Sequence, residues 1–138
     1  MYFLKYVVSN KQINLELRER KYILVTEEMV KGMREEKRIE KMLDDALREH
    51  RIEVFYQPIF SVKDGVYNSA EALVRLHDEE LGWISPEDFI PIAEKNGMII
   101  RLGEIVFEKV CSFVKKNRLR QYGIQYVEVN LSVLQCAD

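Results

Sequence analysis

The side chains best suited to chemistry in this sequence are oxygen ligands on two β-prone runs. In the run Ala70 to Leu76, successive residues point to opposite faces, so Glu71, Leu73 and Arg75 share one face and Ala72, Val74 and Leu76 the other. In the run Ile124 to Ser132 the same alternation groups Glu128, Asn130 and Ser132 opposite Val127, Val129 and Leu131. Carboxylate and amide oxygens suit hard cations such as magnesium or manganese, and the guanidinium fork of arginine suits a phosphate. Together they make the chemistry of a phosphodiester site. The same spacing also describes surface charges on half-buried strands, and spacing alone leaves both readings open.

Other chemistries lack their residues. The sequence has no Gly-x-Ser-x-Gly elbow, no P-loop and no Gly-x-Gly-x-x-Gly fingerprint. His50 and His77 read as solvated helix or loop residues. Cys111 and Cys136 stand 25 positions apart without a Cys-x-x-Cys or Cys/His grouping, so they read as buried free thiols of a reducing cytoplasm rather than a zinc site or a disulfide framework. With 21 basic and 23 acidic residues nearly cancelling to a net charge of −2, no global field recruits DNA, RNA or an anionic membrane. No apolar run reaches about 18 residues and no leader with a cleavage site opens the chain, so no membrane segment is expected and the cytoplasm is the expected location. At 138 residues with 47% apolar side chains, the chain can build the core of one ordinary domain.

Several elements must position the oxygen ligands. Phe3, Leu4, Val7 and Val8 fall at helical spacing, and the stretch from Ile13 to Val25 reads as a small hairpin. Thr26 caps a helix with Glu27 and Glu28 in its first turn, and Ile39, Met42, Leu43, Ala46 and Leu47 form its apolar stripe. Gly32 and the charged run Arg34 to Arg38 mark a domain junction within this segment, one unbroken helix being the alternative. From Ile52 the period changes to two. Pro58 interrupts the first strand, and Asp64-Gly65 predicts an antiparallel hairpin with a type I′ turn. Ser85, Pro86, Glu87 and Asp88 open a helix that Asn96-Gly97 ends, a second helix is predicted from about Leu102 to Asn117, and Ile124 to Leu131 is the next strand. This order suits an α/β barrel with an irregular start and equally permits an open sheet.

Four motifs in order then carry a resemblance. Val54-Phe55-Tyr56-Gln57-Pro58-Ile59 comes first, followed by Ala70-Glu71-Ala72-Leu73-Val74-Arg75. Ser85-Pro86-Glu87-Asp88-Phe89-Ile90-Pro91-Ile92-Ala93-Glu94 with Asn96-Gly97 is third, and Val129-Asn130-Leu131-Ser132 is last. This succession resembles the first half of an EAL domain, the cyclic di-GMP phosphodiesterase family. The resemblance implies a TIM-like barrel with an antiparallel first strand, and hydrolysis of cyclic di-GMP to linear pGpG by two divalent metals, magnesium or manganese, with a metal-activated water.

Matched residue by residue, Glu71 resembles the family's ligand glutamate and Asn130 its ligand asparagine. Gln57, Leu73, Arg75 and Pro86 resemble positions lining the dinucleotide site, with Arg75 as the phosphate partner. The motif's usual aromatic after the arginine is replaced by Leu76, read as a packing change. The resemblance covers about Ile39 to Asp138, whereas a complete barrel of this type needs roughly 250 residues. The family's paired aspartates, catalytic lysine, further glutamate ligands and late glutamine would follow residue 138, so no catalytic residue is expected in this chain.

Residues 1–35 resemble the closing part and linker of a GGDEF domain, an independent hairpin and helix unit being the alternative, and residues 36–138 form the partial EAL domain. The expected function is that of a cyclic di-GMP signalling fragment, inactive by itself and prone to self-association or domain swapping through unpaired strand edges. The alternative is a degenerate module that binds cyclic di-GMP or a protein partner without catalysis.

Overall fold

The computed structural model describes residues 26–136. The expected N-terminal helix and hairpin lie outside the described residues. Contacts divide the chain into two units, Met1–Arg38 and Ile39–Asp138.

Helix α1 runs unbroken over Glu27–Arg48, so Gly32 and the charged run do not interrupt it. In the first unit, the Met29 N–H donates to Thr26 Oγ1 at 3.2 Å, and Glu27 and Glu28 place negative charge where the helix dipole is positive. In the second unit, Ile39, Leu43, Ala46 and Leu47 are buried at helical spacing.

Among the described residues four strands form the sheet: β1 (Glu53–Ser61), β2 (Val66–Asp78), β3 (Gly82–Ile84) and β4 (Tyr126–Val129). β1 and β3 pair antiparallel with β2, and β4 pairs parallel with it. The antiparallel opening hairpin is as expected, but its turn is not. Four residues, Val62 to Gly65, join β1 to β2, and Gly65 N–H donates to Ser61 O at 2.9 Å. A type I′ turn needs positive φ at both central residues, and here Gly65 (φ 68°) is left-handed while Asp64 is not. Asp64 instead accepts a hydrogen bond from Ser61 Oγ at 2.7 Å, which stabilises the wider turn.

β1 continues through Pro58, opposite Ala70, because an edge strand can turn a residue without an N–H outward. A register shift follows between Ile59 and Phe60. Strand β3 has no counterpart among the elements expected from the sequence pattern. Asp78 Oδ1 accepts from the N–H groups of Glu80 and Leu81 at 3.0 and 3.1 Å, and Gly82 (φ 72°) completes the reversal. Three residues are too few for period-two alternation to show. β4 is shorter than expected, its last ladder pair being Ala72 with Val129.

Between β3 and β4 lie helices α2 (Pro86–Lys95) and α3 (Met98–Asn117). Ser85 Oγ accepts from Glu87 N–H, Pro86 occupies the first turn, and Asn96 closes the helix. α3 starts four residues ahead of its expected position, because Gly97 (φ 73°) alone reverses the chain and the apolar Met98 and Ile99 then join the helix. Ile99, Leu102, Ile105, Val106 and Val110 form its buried stripe.

The core gathers Phe89 of α2, Leu43 of α1, Ile105 of α3, and Ile52 and Leu76, all fully buried. Ala72 is buried in it, while Val54, Tyr56, Val74, Val127 and Val129 pack against it. One face of the sheet is thereby covered. The two free thiols depart from expectation, since Cys111 and Cys136 are both exposed. Cys111 follows buried Val110 on α3, so its place in the helical period faces away from the stripe. His50 is exposed after α1, and His77 is exposed on strand β2 rather than in a loop, edge to face with Trp83. No described helix is long and apolar enough to cross a membrane.

Tyr56 stacks on Phe113 of α3 with ring centroids 3.9 Å apart, and burial pushes its phenol above the ordinary value of 10.0. A raised pKa means that the folded chain keeps a proton the unfolded chain has already lost, so this contribution to stability is present below pH 10 and lost above it. Urea midpoints followed from about pH 9 to about pH 11 will fall less steeply for Tyr56→Phe than for the parent. Equal slopes would show that the burial has no energetic consequence.

Candidate functional site

The uncovered face of the sheet carries the candidate site. Register sets its rows, because residues paired across strands present side chains on the same face. Gln57 pairs with Glu71, and Glu71 with Glu128, so an amide and two carboxylates form one row over β1, β2 and β4. The next row holds Phe55 opposite Leu73, with Asn130 one step past the last pair of β4. Arg75 opposite Glu53 comes after that.

Two sequence-predicted ligands meet directly. Asn130 Nδ2 donates to Glu71 Oε1 at 2.7 Å, although the two residues lie 59 positions apart. The parallel pairing of β4 with β2 brings them together, and Asn130, one residue past the ladder, lies on the Glu71 side. The Asn130 carbonyl oxygen and the second Glu71 oxygen are then the atoms a hard cation would take. Donor type fits such a cation; donor number does not. A hard divalent cation takes about six oxygen ligands, and among the described residues no three His, Cys, Asp or Glu side chains converge to hold one.

Leu73, Arg75, Pro86 and Asn130 line one cavity of about 270 Å³ with Ile90 and Val106 among its apolar walls. Its walls also include Ala72, Val74, Leu102 and Val129 of the covered side, so it lies between the sheet and the helices at the end of β4 and meets the open-face residues there. Four of the six sequence-predicted site residues therefore share one space. Glu71 joins them through Asn130, and Gln57 stands beside Glu71 in the adjacent strand.

Arg75 is held in place by two contacts. Its Nη1 donates to Val74 O at 2.8 Å, and its guanidinium carbon lies 5.6 Å from the centroid of the Phe55 ring. Phe55 in turn meets Trp83 edge to face at 5.3 Å. Guanidinium carries five N–H donors, so this anchoring leaves donors for an anion. Trp83 belongs to β3, a strand of three residues that no sequence pattern marks.

Ser132 departs from expectation. It lies outside the strand, and its hydroxyl donates to Glu94 Oε1 of α2 at 2.6 Å instead of joining Glu128 and Asn130. Glu94 lines the same cavity, and no sequence signal linked it to Ser132.

The EAL domain family model matches residues 40–138. The cyclic di-GMP phosphodiesterase NbdA of Pseudomonas aeruginosa is 36% identical over 96 residues, covering 70% of this chain and 12% of that protein. The probable cyclic di-GMP phosphodiesterase PdeB of Escherichia coli is 36% identical over 89 residues, covering 64% of this chain and 17% of that protein. The chain thus spans less than a fifth of the length of these relatives. Among solved structures, the PaMucR phosphodiesterase in complex with c-di-GMP superposes with a TM-score of 0.62 at 34% identity, over 72% of this chain and 40% of that one. The Xanthomonas citri FimX EAL domain, also with c-diGMP, gives 0.62 at 18% identity over 79% of this chain and 42% of that one, a likeness of fold. A family match over most of the chain, with the Glu71-Ala72-Leu73 signature on the central strand, establishes that this chain belongs to the EAL domain family, whose activity depends on divalent metals.

Proposed function

We propose that this chain carries the first part of a cyclic di-GMP phosphodiesterase site, built on the opening strands of a TIM-like barrel. The hydrogen bond between Asn130 and Glu71 carries the reading, because it brings two oxygen ligands from distant sequence together beside a cavity that also holds Arg75. In this reading Glu71 and Asn130 hold a magnesium or manganese ion, which when bound supplies charge neutralisation and an activated water. Arg75 takes a phosphate of the dinucleotide, and Gln57, Leu73 and Pro86 shape its seat. Residues 36–138 make up this domain, in keeping with the family match from residue 40. Residues 1–35 are the tail and linker of a GGDEF domain, and the chain works in the cytoplasm.

By itself the chain is proposed to be inactive. Two ligands leave a divalent ion mostly hydrated, and among the described residues no group of three His, Cys, Asp or Glu side chains could hold one. The same shortage favours a second reading, in which the site binds cyclic di-GMP without cleaving it. Among the described residues β1 and β4 each pair on one side alone, and these edges are proposed to pair between copies, giving dimers or exchanged elements.

Incubation of the 138-residue chain with cyclic di-GMP and Mg2+ or Mn2+ will yield no pGpG by chromatography. Appearance of pGpG in proportion to protein would overturn the inactive reading. Calorimetric titration with cyclic di-GMP will show binding that Arg75→Ala weakens by about 10-fold or more, a charge-assisted phosphate contact contributing roughly 1.5–3 kcal/mol. Equal affinities would remove Arg75 from the site. In sedimentation the chain will run heavier than its monomer mass, and a strictly monomeric boundary would refute pairing through the edges.

A further inference from the structure

We infer that Ser132 is a positioning residue that aims Asn130 at Glu71, and that Gly103 of α3 supplies the space this requires. The inference rests on the metal pair proposed above and concerns what holds one member of it in place. The backbone ladder of β4 ends at Val129, so Asn130 and Leu131 have no ladder partner to fix their direction. Leu131 is 60% exposed and provides little packing. The next fixed point is Ser132.

Three contacts hold it there. Ser132 Oγ donates to Glu94 Oε1 at 2.6 Å, and Ser132 N–H donates to Gln135 Oε1 at 2.8 Å. Leu134 N–H donates back to Ser132 Oγ at 3.3 Å, closing a short 3₁₀ turn over Val133–Gln135. The Gln135 amide lies where a side chain at Gly103 would stand, since a Cβ built there would fall 1.6 Å from Gln135 Nε2. Helix α2 thus grips Ser132 through Glu94, and α3 admits Gln135 through the missing side chain of Gly103. Asn130 is bracketed between the end of the ladder on one side and this clamp on the other.

The test follows the side-chain amide resonances of Asn130 by NMR, and Mn2+ binding by electron paramagnetic resonance, in the 138-residue chain. Ser132→Ala will move the Asn130 amide signals toward those of a solvent-exposed amide and weaken Mn2+ binding by about 10-fold, the usual scale for losing support of a ligand. Ser132→Thr, which keeps the hydroxyl, will restore both. Gly103→Ala will act in the same direction by displacing Gln135, and Glu94→Gln, which keeps an acceptor oxygen, will be milder than Glu94→Ala. Asn130 signals unmoved in both Ser132→Ala and Gly103→Ala, with backbone spectra still those of the folded chain, would overturn the inference. A parent chain that binds no Mn2+ would refute the metal reading of Glu71 and Asn130 alone, and the amide signals would still decide the positioning.

Discussion

The parallel pairing of β4 with β2 is the constraint on which the site depends. Nothing local brings Asn130 near Glu71; the intervening chain must descend through α2 and α3 and return beside β2 in one register. Ala72 opposite Val129 sets that register, and both residues meet the core side of the sheet. Packing on the covered face therefore fixes geometry on the open one. A slip of β4 by one residue would turn Glu128 and Asn130 toward the core side that Val127 and Val129 now face, burying a carboxylate and an amide without partners. The cost of that burial is what makes the register unique.

Much of this was legible in sequence because it rests on periodicity. Alternation along Ala70 to Leu76 predicts which residues face the core, and the burial of Ala72 and Leu76 follows it. The caps at Thr26 and Ser85 and the apolar stripes of α1 and α3 follow from residue type and spacing. What escaped were features decided by a few local hydrogen bonds or by tertiary contact. The Asp64-Gly65 pair signalled a hairpin, yet Ser61 and its hydroxyl selected a wider turn. β3 is too short for a pattern, and it depends on the Asp78 side chain turning the chain back. The early start of α3 rests on one left-handed glycine.

The candidate site divides along the same line. Glu71, Leu73 and Arg75 follow from alternation on one strand, and their common face needs no tertiary information. That Asn130 meets Glu71, and that Pro86 joins them at one cavity, depends on how distant strands and helices assemble. Ser132 shows the limit of alternation, since a strand pattern extended past its last ladder pair assigned it to the wrong side.

The row Gln57, Glu71 and Glu128 adds an electrostatic consequence. Two carboxylates on adjacent strands repel, and like charges directly opposite destabilise a sheet. The Asn130 amide offsets part of this by donating to Glu71, and the Gln57 side chain carries a further donor in the same row. A cation entering between these oxygens would relieve the repulsion while gaining ligands, so the unfavourable pairing is also what would favour a bound cation. The sheet tolerates the carboxylates because their face is open to water, and its opposite face holds the strands together through Phe89, Leu102, Ile105 and the alanines of β2. The carboxylate row and the packing that holds the strands thus lie on opposite sides of the same strands, with register as the link between them.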